Sequence, residues 1–184
     1  MKAELEIEML NDLSATDKLV LLLTKYHRYI KPTRLQKIAL IVYSILEKKV
    51  PKDKYGAYFF GGFSDEIEES ADALKEEGLI EYIPKKGFIL TSEGKELSEL
   101  IEKTSKNKEN IEIVRKIVES LKDLSDGEIV ALTYTLFPEL TTKSVIKDTP
   151  EIKKMKNMYL VKIKKEELSE LLNNSSGDAA YVSE

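Results

Sequence analysis

Cysteine and tryptophan are absent from the 184 residues, histidine and glutamine occur once each, and arginine only three times. Without cysteine there is no disulfide, no thiolate zinc site and no cysteine nucleophile. The one imidazole, His27, has no second histidine with which to share a metal or relay a proton. It falls beside Lys25 and Arg28 in the last turn of a helix, where positive charge is favoured, and reads as a solvent-facing helix-end residue. No apolar run approaches the roughly 20 residues of a membrane span. The acidic opening MKAELEIEMLND lacks the basic start of a secretory signal. There is no Walker loop, no G-x-G-x-x-G, no H-E-x-x-H and no nucleophile elbow. The expectation is a cytoplasmic, non-enzymatic protein with no catalytic residues, no metal ligands, no cofactor and no membrane partner.

Charge is plentiful. Charged residues make up 34% of the chain, nearly all of them Lys, Glu and Asp. Such enrichment with few thermolabile side chains resembles a hyperthermophile proteome. The net charge of −4 hides alternating blocks. Residues 31–63 carry net +5, 64–81 carry −7, 141–165 carry +6 and 166–184 carry −5. Neighbouring blocks of opposite sign can clasp one another, and the −7 block has the +6 block as a candidate internal partner.

Along the chain, residues 3–10 alternate acidic and apolar side chains. Period two favours a strand while Glu, Leu and Met favour a helix, so the two signals leave the segment open. Ser14 and Asp17 mark the start of a helix burying Leu19, Leu22, Leu23 and Tyr26. Thr33 and Gln36 form a capping-box pattern ahead of LQKIALIVYSILEKK, a helix apolar on nearly every side and therefore the predicted core centre. Tyr55–Phe63 packs five aromatics and three glycines into nine residues. Those rings either pin a loop into the core or present Tyr58, Phe59 and Phe60 to a partner.

Phe63–Gly94 is the organising stretch. Ser64 is a candidate N-cap. Ile67, Ala71 and Leu74 give one apolar stripe, and Gly78 stops the helix. Leu79–Ile83 and Phe88–Thr91 read as strands about a Pro84–Gly87 turn, and Thr91 caps the next helix. Helix then hairpin is the recognition half of a winged helix-turn-helix. Yet the helix carries Asp65, Glu66, Glu68, Glu69, Asp72, Glu76 and Glu77 against Lys75 alone. DNA phosphates repel such a surface, and base edges call for Arg, Lys, Asn or Gln.

Beyond the polar TSKNKEN stretch, Ile111, Val114, Ile117, Val118 and Leu121 form one helix face. Ser125 and Glu128 form a second capping box ahead of a helix that stops before Pro138. Tyr159–Ile163 reads as a strand with residues 3–10 as its partner, Lys165–Leu172 as a short helix, and Asn173–Glu184 as a polar tail.

Thr33-Arg34-Leu35-Gln36-Lys37, Gly62-Phe63-Ser64-x-Glu66-Ile67, Leu74-x-x-x-Gly78-Leu79-Ile80 and Leu90-Thr91-x-x-Gly94 occur in order. With Leu136-Phe137-Pro138-Glu139 and Lys143-Ser144 they resemble the YwgA-like family of prokaryotes across residues 15–147. More distantly they are similar to the Panacea antitoxin-type domain. The resemblance implies a winged-helix-like fold and a regulatory or neutralising role, with no established reaction.

The fold expected is mainly α with a small β-hairpin wing. A winged-helix-like domain over 13–103 is followed by a helical extension over 111–172 packed on it, and by a flexible tail over 173–184. The favoured partner is a protein, or a second copy of the chain, met by Asp65, Glu66, Glu68, Glu69, Asp72, Tyr58, Phe59 and Phe60. The alternative is a DNA-binding or antitoxin-like regulator using Lys31, Arg34, Lys37, Lys85 and Lys86.

Overall fold

The computed structural model describes residues 2–155. The chain is mainly helical. In order it runs α1 (Lys2–Asp12), α2 (Ala15–Lys25), α3 (Pro32–Leu46), β1 (Gly56–Tyr58), β2 (Gly61–Phe63), α4 (Asp65–Glu76), β3 (Ile80–Ile83), β4 (Gly87–Leu90), α5 (Ser92–Thr104), α6 (Lys108–Leu121) and α7 (Asp126–Leu136). A 3-10 turn (Pro138–Thr141) follows, and residues 150–155 are helical. The segment left open, residues 3–10, is helix, so it cannot serve as the strand partner foreseen for Tyr159–Ile163. That strand, the Lys165–Leu172 helix and the Asn173–Glu184 tail lie outside the described residues.

The strands form two separate antiparallel hairpins. In the first, Ala57 faces Gly62. In the second, Tyr82 faces Phe88, and Lys85 (φ 68°) and Gly87 (φ 110°) turn the chain in the left-handed region. The α2–α3 connection joins the second hairpin at one point, where Ile30 and Phe88 exchange backbone hydrogen bonds of 3.0 and 2.8 Å. A Cβ on Gly87 would strike the Ile30 carbonyl, so glycine is what lets the connection lie against the hairpin.

As its sequence predicts, α3 is the centre. Leu35, Ile38, Ala39, Leu40, Ile41, Val42 and Ile45 are all buried, and the helix packs on α2, α4, α6 and α7. Each large aliphatic side chain so buried stabilises the fold by about 1.5–3 kcal/mol. The helix start predicted at Ser14 is a full capping box with Asp17, and the box predicted at Ser125–Glu128 forms. Thr91 accepts from Gly94 N at 3.1 Å, and Gly78 (φ 74°) closes α4.

The Thr33–Gln36 box does not form. Pro32 opens α3 behind Lys31, which contributes no side-chain cap, because proline's fixed φ suits the first helical position. The polar residues of this first turn point inward and become a hub. Arg34 Nη1 and Nη2 donate to the carbonyls of Leu124 (2.8 Å) and Leu121 (3.1 Å). Leu121 ends α6, its carbonyl also accepting from Leu124 N, and Leu124 follows three residues on; a guanidinium is favoured at that negative end of the helix. The Gln36 amide spans both backbone groups of Ser64, donating to its O at 2.9 Å and accepting from its N at 3.0 Å. Lys37 Nζ donates to Gly62 O at 2.7 Å. Ser64 does stand at the N-cap of α4, but its side chain makes no capping bond. Its Oγ is buried with no partner among the described residues.

Candidate functional site

The first hairpin presents aromatic rings to solvent. Phe59 and Phe60 form its two-residue tip, and the left-handed residue completing the turn is Gly61 (φ 84°). A Cβ on Gly61 would collide with the Tyr134 ring, so β2 lies close on α7 just behind the tip. From below, Tyr134 Oη and Ser144 Oγ share a hydrogen bond of 2.8 Å, and Val145 N donates to Phe59 O at 3.0 Å. Tyr58, Phe59 and Phe60 are left 53, 58 and 54% exposed, with Val145 beside them at 65%. The expectation that the rings pin a loop into the core holds for Tyr55, which is buried and donates from Oη to Gln36 O. It fails for the three tip rings, because the short hairpin carries them past the surface. They order themselves instead: Tyr58 stacks on Phe63 at 5.1 Å and meets Phe59 edge-on at 5.3 Å.

Opposite the rings stands the outer face of α4. Asp65, Glu68 and Asp72 recur at i, i+3 and i+7 and so share one side of the helix. Together with Tyr58, Phe59, Phe60 and Phe63 they line a groove of about 450 Å³, to which Pro32 and Thr33 of α3 also contribute. Ile67, Ala71 and Leu74, the stripe predicted to face inward, are buried beneath. Lys37 reaches the groove floor yet is only 2% exposed. Burial holds its ammonium down to about 8, since an apolar setting disfavours the charged form.

The candidate protein-binding set therefore divides. Asp65, Glu68, Asp72 and the three tip rings converge on the groove. Glu66 faces away, hydrogen-bonding the Thr16 hydroxyl and pairing with Lys54 at 3.7 Å. Glu69 is exposed but does not line the groove. Among the described residues, no lysine of 141–155 pairs with a carboxylate of α4, and Lys153 turns to Asp148 at 3.6 Å. The foreseen internal clasp is thus not formed by those residues.

The candidate nucleic-acid set divides as well. Arg34 and Lys37 are buried and committed to backbone carbonyls, which corrects their expected place on the surface. Their block of positive charge serves folding, because the first turn of α3 is packed on three sides. Lys31 keeps an exposed side chain paired to Asp126 at 2.9 Å. Lys85 and Lys86 are exposed at the second hairpin's turn.

His27 is a further correction. It is half-buried just after α2, and Nδ1 lies 2.7 Å from Leu23 O. A carbonyl can only accept, so Nδ1 carries the proton. Nε2 is then left to accept from Arg34 Nε at 3.5 Å. Burial, reinforced by the Arg34 charge and outweighing the Leu23 bond, lowers its pKa.

Val145 and the Arg34–Gln36–Lys37 hub were missed in the sequence. A capping-box reading of Gln36 hid the hub, and nothing local to Val145 announces its neighbour Phe59. No helix among the described residues is long and apolar enough to cross a membrane. Compared with known proteins, the chain matches no family model, no curated protein and no solved structure.

Proposed function

We propose that this chain is a non-enzymatic regulator of winged-helix type that binds a basic segment of another protein in the groove between the aromatic hairpin and α4. The single observation carrying the reading is that the exposed rings and the exposed carboxylates line one concavity. Aromatic anchors supply large rigid contact area. Carboxylates beside them attract Lys and Arg, steer encounter and reject acidic partners, and the ring faces add cation–π attraction. A symmetric dimer through this face would set one row of carboxylates against another, so a different chain suits it better than a second copy.

The winged-helix reading is supported by the order of elements. The helix α2, the single bridging residue Ile30, the helices α3 and α4, and the hairpin β3–β4 follow one another as in that architecture, with the aromatic hairpin inserted between α3 and α4. The helices α6 and α7, packed on α3, are then the start of a C-terminal helical extension. On this reading α4 stands where a DNA-reading helix would. Its carboxylates repel phosphate, which turns the shape to protein recognition.

The test is a pair of salt titrations by fluorescence anisotropy. A labelled amphipathic peptide of alternating leucine and arginine binds, and weakens as salt screens the carboxylates. In a separate titration without the peptide, any binding of a labelled mixed-sequence DNA duplex is the same in the parent chain and in Phe59→Ser/Phe60→Ser. Duplex binding lost in that variant would overturn the reading.

A further inference from the structure

A second concavity lies between the second hairpin, the α2–α3 connection and α6, and its charge is opposite in sign to the groove's. We propose that it is a binding site for a phosphate-bearing anion. The cleft measures about 340 Å³, and the cations Arg28, Lys31, Arg34, Lys86 and Lys122 come to it from four different parts of the chain. One carboxylate, Asp126, is among them, and it already holds Lys31 at 2.9 Å and Arg34 at 3.3 Å. Lys122 pairs with Glu119. Arg28 and Lys86 have no carboxylate partner among the described residues. Both instead sit by one ring, Arg28 at 5.7 Å and Lys86 at 5.1 Å from the centre of Tyr29.

This arrangement suits an anion for physical reasons. A cation–π contact leaves the outward donors of guanidinium and ammonium unfilled. A concave site with converging cations focuses potential more than the same charges on an open face. Like charges are brought together by elements that fold for other reasons: Lys86 by the turn whose Lys85 is left-handed, Arg28 by the α2–α3 connection, and Lys122 by the C-cap of α6. A bound phosphate would relieve their mutual repulsion. The groove shares the start of α3 and, through Phe88, the second hairpin with this cleft, but no residue lines both, so either can fail alone.

His27 lines the cleft and is the only histidine in the chain, which makes it a built-in reporter. It faces Arg34 and Asp126 and shares the cleft with Arg28, Lys31, Lys86 and Lys122. An anion entering would favour its charged form and raise its pKa.

The experiment is a proton-NMR titration of the His27 ring signals in the full chain, with and without inorganic pyrophosphate at fixed ionic strength. The expected result is a saturable shift and a higher His27 pKa, with affinity falling about tenfold in Lys86→Ala and Arg28→Ala and unchanged in Phe59→Ser/Phe60→Ser. A second arm adds a mixed-sequence DNA duplex. Displacement of pyrophosphate identifies the phosphodiester backbone as the ligand, and its absence identifies a free phosphate compound. An unmoved His27 signal up to millimolar pyrophosphate would falsify the site. So would a shift of equal size in the Lys86 and Arg28 variants, provided their circular dichroism matches the parent chain.

Discussion

Lys37 fastens the aromatic hairpin to the central helix: its ammonium, buried in α3, donates to Gly62 O at 2.7 Å. The hairpin that bears Tyr58, Phe59 and Phe60 is thus held by a charge rather than by apolar packing alone. That charge costs free energy to bury. The presentation of the tip rings and the pH dependence of the fold are consequently linked through one side chain.

The linkage has a definite sign. Burial lowers the Lys37 pKa from 10.5 to about 8, so between those values the unfolded chain binds more protons than the folded one. Stability then rises with pH in that window. Between pH 8 and 9.5 the gain from Lys37 is roughly 1.5 kcal/mol, at 1.36 kcal/mol per pKa unit. Urea unfolding across this window should show the rise in the parent chain and its loss in Lys37→Met. Staying below pH 10 avoids Tyr26, Tyr43 and Tyr55, whose pKa values are raised, chiefly by burial. Their contribution has the opposite sign.

Gln36 gives a prediction free of charge. Replacing it by Met keeps the shape but removes both bonds to Ser64, and the buried Ser64 N–H is left without an acceptor. An orphaned buried donor costs about 1–3 kcal/mol, to which the lost bonds add. Gln36→Met should therefore destabilise by about 2–3 kcal/mol in urea unfolding, and a loss under about 0.5 kcal/mol would show that the hub does not hold α4.

Glu102 sets the acid limit. Burial by itself would raise its pKa. Hydrogen bonds from Lys25 (2.6 Å), Tyr26 Oη (2.5 Å) and Arg115 (3.1 Å) more than reverse this and bring it to about 2. A lowered carboxylate pKa gives stability that is present above the unfolded value near 4.5 and lost as pH falls toward 2. The contribution is on the order of 2 kcal/mol, allowing for partial solvent screening. Glu102→Gln should flatten the acid limb of the stability profile between pH 4.5 and 2. An unchanged limb would assign acid unfolding to other carboxylates.

What could be read from the sequence was local. Periodicity placed the apolar face of α4 and the burial of α3. Cap chemistry at Ser14, Thr91 and Ser125 and the Gly78 stop located helix ends, because each depends on residues within one turn. What escaped depends on distant partners. Gln36 satisfies Thr33 on paper and Ser64 in space. Arg34 and Lys37 look like surface charge until α6 and β2 pack over them. Period two in residues 3–10 lost to the helix propensity of Glu, Leu and Met. At the groove, the carboxylates and the rings were each legible, and only the fold set them opposite one another.

The most direct measurement is the affinity of the labelled leucine–arginine peptide for the parent chain and for two variants. One is Asp65→Lys/Glu68→Lys/Asp72→Lys, and the other is Phe59→Ser/Phe60→Ser. All these positions are exposed, so thermal melts should remain close to the parent's. Each variant is predicted to weaken binding by about tenfold or more, roughly 1.4 kcal/mol, whereas Glu69→Lys, outside the groove, should change it by much less. Equal affinity across all four proteins would contradict the assignment of the groove.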